Sequence, residues 1–356
     1  MRFFARIIRM HRHDVRKCNT IKLIIFDVYS VEVQERDERM KTRGRWLLLG
    51  TAVLCLSSCG GETLDYYTDD SVLTLSLPES SLRIMQVTDL HLTYGIDYHD
   101  RMTLRLIEDM AEYTDPDLIV ITGDIAMSPM GPSLFKTLYN RMERLQIPWT
   151  FVFGNHETDF KDYTRYLAQI QDPEYLIFKA GPEITTGSYG NFIIQTEVSG
   201  TPFMNLYMMD SRTENDNTLS GYDYMTLDQV AWYRTHAAQD QIDGLESLAF
   251  MHMPIVQYED YATSTLIDGV MEEGVICYQG VDTGFFDAMV DEGMTKGLFV
   301  GHDHNNNFSF MKDGILLAYG QSTGYNGYGI LERGARIIDV DAGHVLSSYL
   351  LVESEL

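Results

Sequence analysis

Apolar residues come along this chain in short runs that stop at a glycine or a polar group, separated by stretches where they recur every three or four positions. The run Leu82-Arg83-Ile84-Met85-Gln86-Val87-Thr88 reads as a strand and stops at Asp89-Leu90-His91. Met102, Leu106, Ile107 and Met110 then share one helical face. That helix is closed by Asp115-Pro116, because a residue before proline is pushed out of helical conformation. Leu118-Ile119-Val120-Ile121-Thr122 is a continuous apolar strand ending at Gly123-Asp124. A helix around 133–145 ends before Pro148, and the strand 149–153 runs into Gly154-Asn155-His156-Glu157. Strand, helix, strand at this spacing predicts βαβ units, with parallel strands covered on their faces. Three successive strands therefore end in polar residues just past their C-terminal ends, the edge where open α/β sheets place ligands.

Beyond Asp172 the pattern changes to short runs between turn residues, 174–179, 190–198 and 203–210, which predicts antiparallel pairing and hence a mixed sheet. Residues 226–238 read as a helix with Leu227, Val230, Ala231 and Tyr233 facing inward, and 248–251 as a buried strand ending at His252. The stretch 258–280 has no clear period and reads as loop bordering a pocket, before a helix at 285–292. Leu298-Phe299-Val300 then breaks at Gly301 into His302-Asp303-His304, where the two-residue spacing turns both imidazoles to one side. Gly301 is read as the residue that lets the backbone turn there. Runs at 315–319, 329–331 and 336–340 close the sheet. One α/β domain, 80–352, takes all of these elements, with no internal repeat or low-complexity tract.

The N-terminal part differs in kind. The first 59 residues hold 12 of the 27 Lys and Arg but 6 of the 52 Asp and Glu. The remainder, with 15 basic against 46 acidic residues, carries a net charge near −31. Nucleic-acid and anionic-membrane surfaces both need a basic face, so neither is expected. Lys41, Arg43 and Arg45 precede the apolar run 46–56, too short to span a bilayer, and Ser57-Ser58-Cys59-Gly60 follows. Leu56-Ser57-Ser58-Cys59 resembles a bacterial lipoprotein signal, which implies export, lipidation of Cys59 and attachment to the cell envelope by lipid alone. Met40 sits where such a signal begins, so 1–39 is read as an upstream start-site artefact in preference to a genuine extension. Residues 60–79 read as a polar tether. With Cys18 and Cys55 removed and Cys59 lipidated, Cys277 is left alone and no intramolecular disulfide is expected.

The strand-end residues are Asp89, His91, Asp124, Asn155, His156, His252, His302 and His304. Singly, Asp124 suits a helix cap, Asn155 a turn and His252 a core histidine. Together they fall at the same end of successive strands, which independent structural roles do not explain. Asp-x-His, Gly-Asp, Gly-Asn-His-Glu, an isolated His after a strand and Gly-His-Asp-His, in this order, resemble the calcineurin-like metallophosphoesterase superfamily. Within it the segments 115–124, 229–233, 301–306 and 319–329 look most like the purple-acid-phosphatase-like branch with Dcr2-type phosphatases.

That resemblance implies an α/β/β/α sandwich of two mixed β-sheets flanked by helices, with a dinuclear metal site between them. One divalent ion takes Asp89, His91, Asp124 and His304, and the other takes Asp124, Asn155, His252 and His302, with Asp124 bridging. Imidazole and carboxylate mixtures suit Mn, Fe or Zn. His156 contacts the phosphate or protonates the leaving oxygen, while Glu157 and Asp303 are candidates for orienting neighbouring histidines. A purple acid phosphatase has a ferric-binding tyrosine soon after the Gly-Asp aspartate. Here Ile125-Ala126-Met127 follow, so His91 takes that slot and no purple colour is expected. Tyr325 and Tyr328 border the site or fill turns, and His99, His236 and His344 are assigned no partner. The implied activity is a metallophosphatase, expected as a monomer because nothing signals assembly, hydrolysing a phosphate monoester by attack of a metal-bound hydroxide. The alternatives are a phosphodiesterase acting on cyclic nucleotides or other diesters, and a non-catalytic surface binding lipoprotein.

Overall fold

The computed structural model describes residues 68–95 and 97–356. The expectations for 1–39, for the signal at 40–59 and for Cys59 lie outside the described residues. In chain order the elements are β1 (Leu73–Leu77), β2 (Leu82–Val87), α1 (Tyr98–Thr114), β3 (Leu118–Thr122), α2 (Gly131–Leu145), β4 (Trp149–Val152), α3 (Tyr163–Leu167), β5 (Phe192–Val198), β6 (Thr201–Met208), α4 (Leu227–Asp243), β7 (Ser247–Phe250), β8 (Leu266–Asp268), α5 (Phe285–Glu292), β9 (Thr295–Val300), β10 (Ser309–Lys312), β11 (Ile315–Tyr319), β12 (Gly334–Val340) and β13 (Leu346–Val352).

The strands build two sheets, ordered β1-β5-β6-β7-β9-β11-β10-β8 and β13-β12-β2-β3-β4. Both are mixed. The βαβ units make β2, β3 and β4 parallel, and β12 runs antiparallel to β2. In the larger sheet β6, β7, β9 and β11 are parallel, while β5 and β10 run the other way. Helix α1 packs on β2 and β12, and α2 reaches β4 through Phe135 on Phe151 and Tyr139 on Trp149. On the other side Tyr233 of α4 packs edge-on against Tyr207 of β6 and against Phe285 of α5. The architecture is the expected α/β/β/α sandwich.

Local chemistry sets the helix ends. Asp115 takes the left-handed conformation (φ 46°) that ends α1, and Thr226 with Gln229 forms a capping box at the start of α4. Leu227 and Ala231 do not face inward as the periodicity suggested. They are exposed, and Gln229, Val230, Tyr233, Ala237 and Asp240 form the buried face. Four strands went unread, β8 among them. β1 lies within the stretch taken as tether and pairs in parallel with β5. β10 has four residues, and β13 is an edge strand whose burial alternates. Conversely, 174–179 contributes one isolated bridge, Leu176 to Trp149, and 329–331 forms no strand. Within 258–280 the chain makes a 3-10 helix, Val256–Thr263, and β8. Cys277, expected as a solitary thiol, is disulfide-bonded.

One buried cation ties the sheets together. Arg336 on β12 is fully buried and uses every N–H of its guanidinium. Nε donates to the Tyr319 carbonyl of β11, Nη1 to Asp268 and Ser348, and Nη2 to Asp268 and the Asn307 carbonyl, at 2.6–3.2 Å. Replacing it with methionine strands a carboxylate and two carbonyls. Arg336→Met is expected to lower unfolding free energy by about 3–5 kcal/mol in urea titrations. A loss under about 1 kcal/mol would show that the two sheets do not depend on this residue.

Candidate metal centre

The strands β2, β3 and β4 in one sheet and β7 and β9 in the other all end on one side of the sandwich. The residues just beyond them converge, and all eight strand-end groups named above meet there. The backbone that carries them is strained. Asp89 (φ 55°), His91 (φ 45°), Asp124 (φ 51°) and His302 (φ 82°) are all left-handed, a conformation that costs a histidine of order 1 kcal/mol or more. Gly301, expected to supply the turn before His302, does not have positive φ. Its own service is close approach, since a side chain there would strike the Thr88 hydroxyl. Gly123 (φ 88°) needs both properties, because an added Cβ would sit 2.8 Å from Gly154 Cα and 2.7 Å from His252 Nδ1.

Cross-bonds hold these loops against one another. His91 N–H donates to the Asp124 carbonyl at 2.9 Å, and Leu92 N–H to the Ile125 carbonyl at 3.0 Å. The Asp89 carboxylate accepts from His302 N–H at 3.1 and 3.2 Å. Asp124 Oδ1 accepts from His156 N–H at 3.0 Å, which leaves Oδ2 facing the histidines. Glu157 does not orient a histidine. Its buried carboxylate accepts from Ile125, Ala126 and Gly154 N–H at 2.5, 3.2 and 2.6 Å, stapling the Asp124 loop to the Asn155 loop. Burial and the charge of Asp124 push its pKa up to about 7. Asp303 likewise touches no histidine; it accepts from Tyr319 O–H at 2.7 Å and Cys277 N–H at 3.1 Å.

Two groups of ligand atoms result. Asp89, His91 and His304 each offer one within 4.8 Å of the others, and so do Asp124, His252 and His302. Across the first group His91 Nε2 lies 3.0 Å from His304 Nε2, and His304 Nε2 lies 3.4 Å from Asp89 Oδ1. In the second, His252 Nε2 is 3.1 Å from Asn155 Oδ1, 3.3 Å from Asp124 Oδ2 and 3.3 Å from His302 Nδ1. Asp124 Oδ2 also lies 3.5 Å from His91 Nε2, so this one oxygen faces both groups. His304 Nδ1 is 2.9 Å from the Tyr328 carbonyl, and His252 Nδ1 is 2.7 Å from the Thr122 carbonyl. A carbonyl only accepts, so each Nδ1 carries a proton and each ring turns its Nε2 inward.

The electrostatics divide the rings. Burial drives His91 and His302 down to about 3, so both are neutral. Burial also works against ionised Asp89, but the facing His304 outweighs it and lowers the carboxyl to about 2. Asp124 is lowered well below its ordinary value by His252 and His156, again against burial. Burial opposes a charged His252, yet Asp124 lifts that ring to about 10. Lone pairs and ionised carboxylates thus crowd one enclosed space, and this donor set fits cations.

At the rim, His156 Nδ1 is 2.7 Å from Asp159 Oδ2, and its Nε2 lies 3.9 Å from Asp124 Oδ2. Three groups that carried no readable signal also border the site. Tyr222 packs edge-on against His302 at 4.6 Å, Thr213 O–H donates to the Asn155 carbonyl at 3.1 Å, and Glu214 lies beside His156 and Asp159. Tyr328 stacks on His304 at 4.1 Å, so it borders the site as one of its two readings had it. The three histidines given no partner each have one, away from the two groups: His99 faces Asn326, His236 faces Asp70 and His344 stacks on Phe203.

The chain is similar to several known proteins. The family profile for calcineurin-like phosphoesterases matches residues 82–306. Among curated proteins it is 27% identical to "Probable inactive purple acid phosphatase 14" of Arabidopsis thaliana, over 81% of each chain. It is 29% identical to "Phosphatase DCR2" of Saccharomyces cerevisiae, over 68% of this chain and 48% of that one. Among solved structures, a dimetal phosphatase from Danio rerio superposes with a TM-score of 0.50 at 12% identity, covering 76% of this chain and 98% of the other. A purple acid phosphatase from yellow lupin seeds gives the same TM-score and identity over 77% and 52%. Those two likenesses concern the fold, and with a family match over most of the sandwich the chain belongs to the calcineurin-like phosphoesterases.

Proposed function

We propose that this chain is a phosphatase that hydrolyses a phosphate monoester with two divalent cations. Asp89, His91, Asp124 and His304 would hold one, and Asp124, Asn155, His252 and His302 the other. The single observation that carries the reading is Asp124 Oδ2, which faces both groups of inward-turned imidazole nitrogens. When bound, such cations supply Lewis acidity, charge neutralisation and an acidified water.

The chain's own residues supply the rest. The His156 N–H bond orients Asp124, so that its second oxygen is free to bridge. Asp159 accepts the Nδ1 proton of His156, leaving Nε2 as the atom that hands a proton to the departing ester oxygen. Asp89 and Asp124 are nearly inaccessible, so little bulk water competes for the reacting groups. The absence of a tyrosine in Ile125-Ala126-Met127 leaves the set free of phenolate, consistent with a colourless protein.

Several relatives carry "inactive" in their names, which favours a second reading, a binding protein that has lost catalysis. Metal analysis and turnover of p-nitrophenyl phosphate decide between them. Two cations per chain are expected, with activity that disappears on stripping, returns on reloading and is abolished in Asp124→Asn. Turnover surviving in the stripped protein, or two bound cations with none, sinks the phosphatase reading, and preference for bis-p-nitrophenyl phosphate would replace it with a diesterase. His156→Ala is expected to lower kcat about 10²–10⁴-fold while cation stoichiometry is unchanged. Unaltered kcat would remove His156 from the chemistry.

Cation binding should also be proton-linked. In the stripped protein His252 keeps its proton up to about pH 10, and a ligand must lose it. Affinity at that half therefore rises as pH rises, about tenfold per unit below pH 10. Calorimetry in buffers of different ionisation enthalpy reads the released proton, and equal affinity at pH 6 and pH 8 would contradict this.

A further inference from the structure

Arg333 is a buried cation that this chemistry leaves unused. It is 8% exposed, and its guanidinium bonds only to neutral oxygens. Nη1 donates to Ser322 Oγ at 2.9 Å, and Nη2 to the carbonyls of Gly327 at 2.9 Å and Tyr328 at 3.0 Å. It forms no ion pair among the described residues. Enclosing a charge without a carboxylate partner is costly, so the position of this one calls for a reason.

The reason lies at the Tyr328 carbonyl. That oxygen has two lone pairs, and the second accepts from His304 Nδ1 at 2.9 Å. The surrounding segment wraps the same ring. An added Cβ at Gly327 would lie 2.7 Å from His304 Cε1, and the Tyr328 ring stacks on His304 at an interplanar angle of 12°. His252, the corresponding ring of the other group, is set by the Thr122 carbonyl at the end of β3, a strand bonded on both sides. The Tyr328 carbonyl belongs to no strand, and Arg333 is what fastens it.

We propose that Arg333 is a positioning residue for the Asp89–His91–His304 half of the site. By fixing the Tyr328 carbonyl it sets the tautomer and tilt of His304, and with them the grip of that half on its cation. The inference rests on the two-cation reading above. Its test is calorimetric titration of manganese(II) into the stripped full chain, comparing the natural sequence with Arg333→Gln, Arg333→Lys, His304→Ala and the double variant Arg333→Gln/His304→Ala.

Arg333→Gln is expected to weaken one of the two binding steps about 10–100-fold and to leave the other unchanged. Arg333→Lys, which keeps the charge but not the fork, should fall between, and it carries the test if the glutamine variant does not fold. The double variant should bind no more weakly than His304→Ala alone, because the arginine acts only through that ring. Equal weakening of both steps, no weakening, or a further loss in the double variant overturns the proposal. Fewer than two cations in the natural sequence would instead overturn the two-cation reading itself.

Discussion

Two ionised carboxylates at the meeting edge of two sheets set the terms for the rest of the structure. Asp89 and Asp124 are shut away from water and surrounded by imidazole nitrogens that the local backbone turns inward. Negative charge in such a place is stable only beside positive charge. Without cations the protein has one immediate answer, the proton that Asp124 holds on His252. His91 and His302 offer no more, since burial keeps both neutral. Glu157 stands close enough for Asp124 to raise its pKa, so a third carboxyl adds to the same demand. An assembly so short of positive charge is poised for metal, and the neutral rings of His91 and His302 offer it lone pairs that lysine or arginine could not.

Holding that arrangement requires backbone that would not form alone. Four of the eight convergent residues are left-handed, and two glycines meet at the closest approach of neighbouring loops. Each strained turn is offset by a bond from a different loop. Glu157 spans from the β4 loop to the β3 loop, His156 N–H reaches Asp124, and His302 N–H reaches across from the larger sheet to Asp89. The sandwich behind them is held partly because Arg336 fastens β12 to β11, β8, β13 and the Asn307 carbonyl with all five of its donors. Strain at the site and stiffness between the sheets are therefore one design: loops keep an unfavourable geometry only where the elements carrying them do not move.

How much of this is legible in the sequence follows from the range of each signal. The eight site groups are readable because each stands at the break of an apolar run, a local feature, and repetition of that feature marks a common edge. The βαβ units and α5 are readable for the same reason. β1 hides among Ser, Thr and Asp because its partner, β5, lies over a hundred residues away. Leu227 and Ala231 mislead because helical period fixes a spacing but not which face the sheet will cover. Glu157 and Asp303 carry the right chemistry to orient histidines and stand beside them in sequence, yet both bond elsewhere, to backbone amides and a tyrosine brought in by the fold. Arg333, Tyr222 and Thr213 leave no trace in the one-dimensional pattern, since each acts on an atom contributed by a distant loop.

The acidic exterior and the proposed anionic substrate are compatible for the same physical reason that the donor set suits cations. Charges on the surface act through water and salt, which weaken them beyond roughly 8 Å. Charges enclosed between the sheets are screened far less. Two divalent cations against Asp89 and Asp124 would leave the proposed centre near +2, and a phosphate at its mouth would feel that excess at contact distance while most of the surface carboxylates lay beyond a screening length. Asp159 and Glu214, at the rim, are the acids near enough to matter. Asp159 is engaged with His156, so under the proposed reading its charge would act on the imidazole that faces the leaving group instead of opposing the approaching anion.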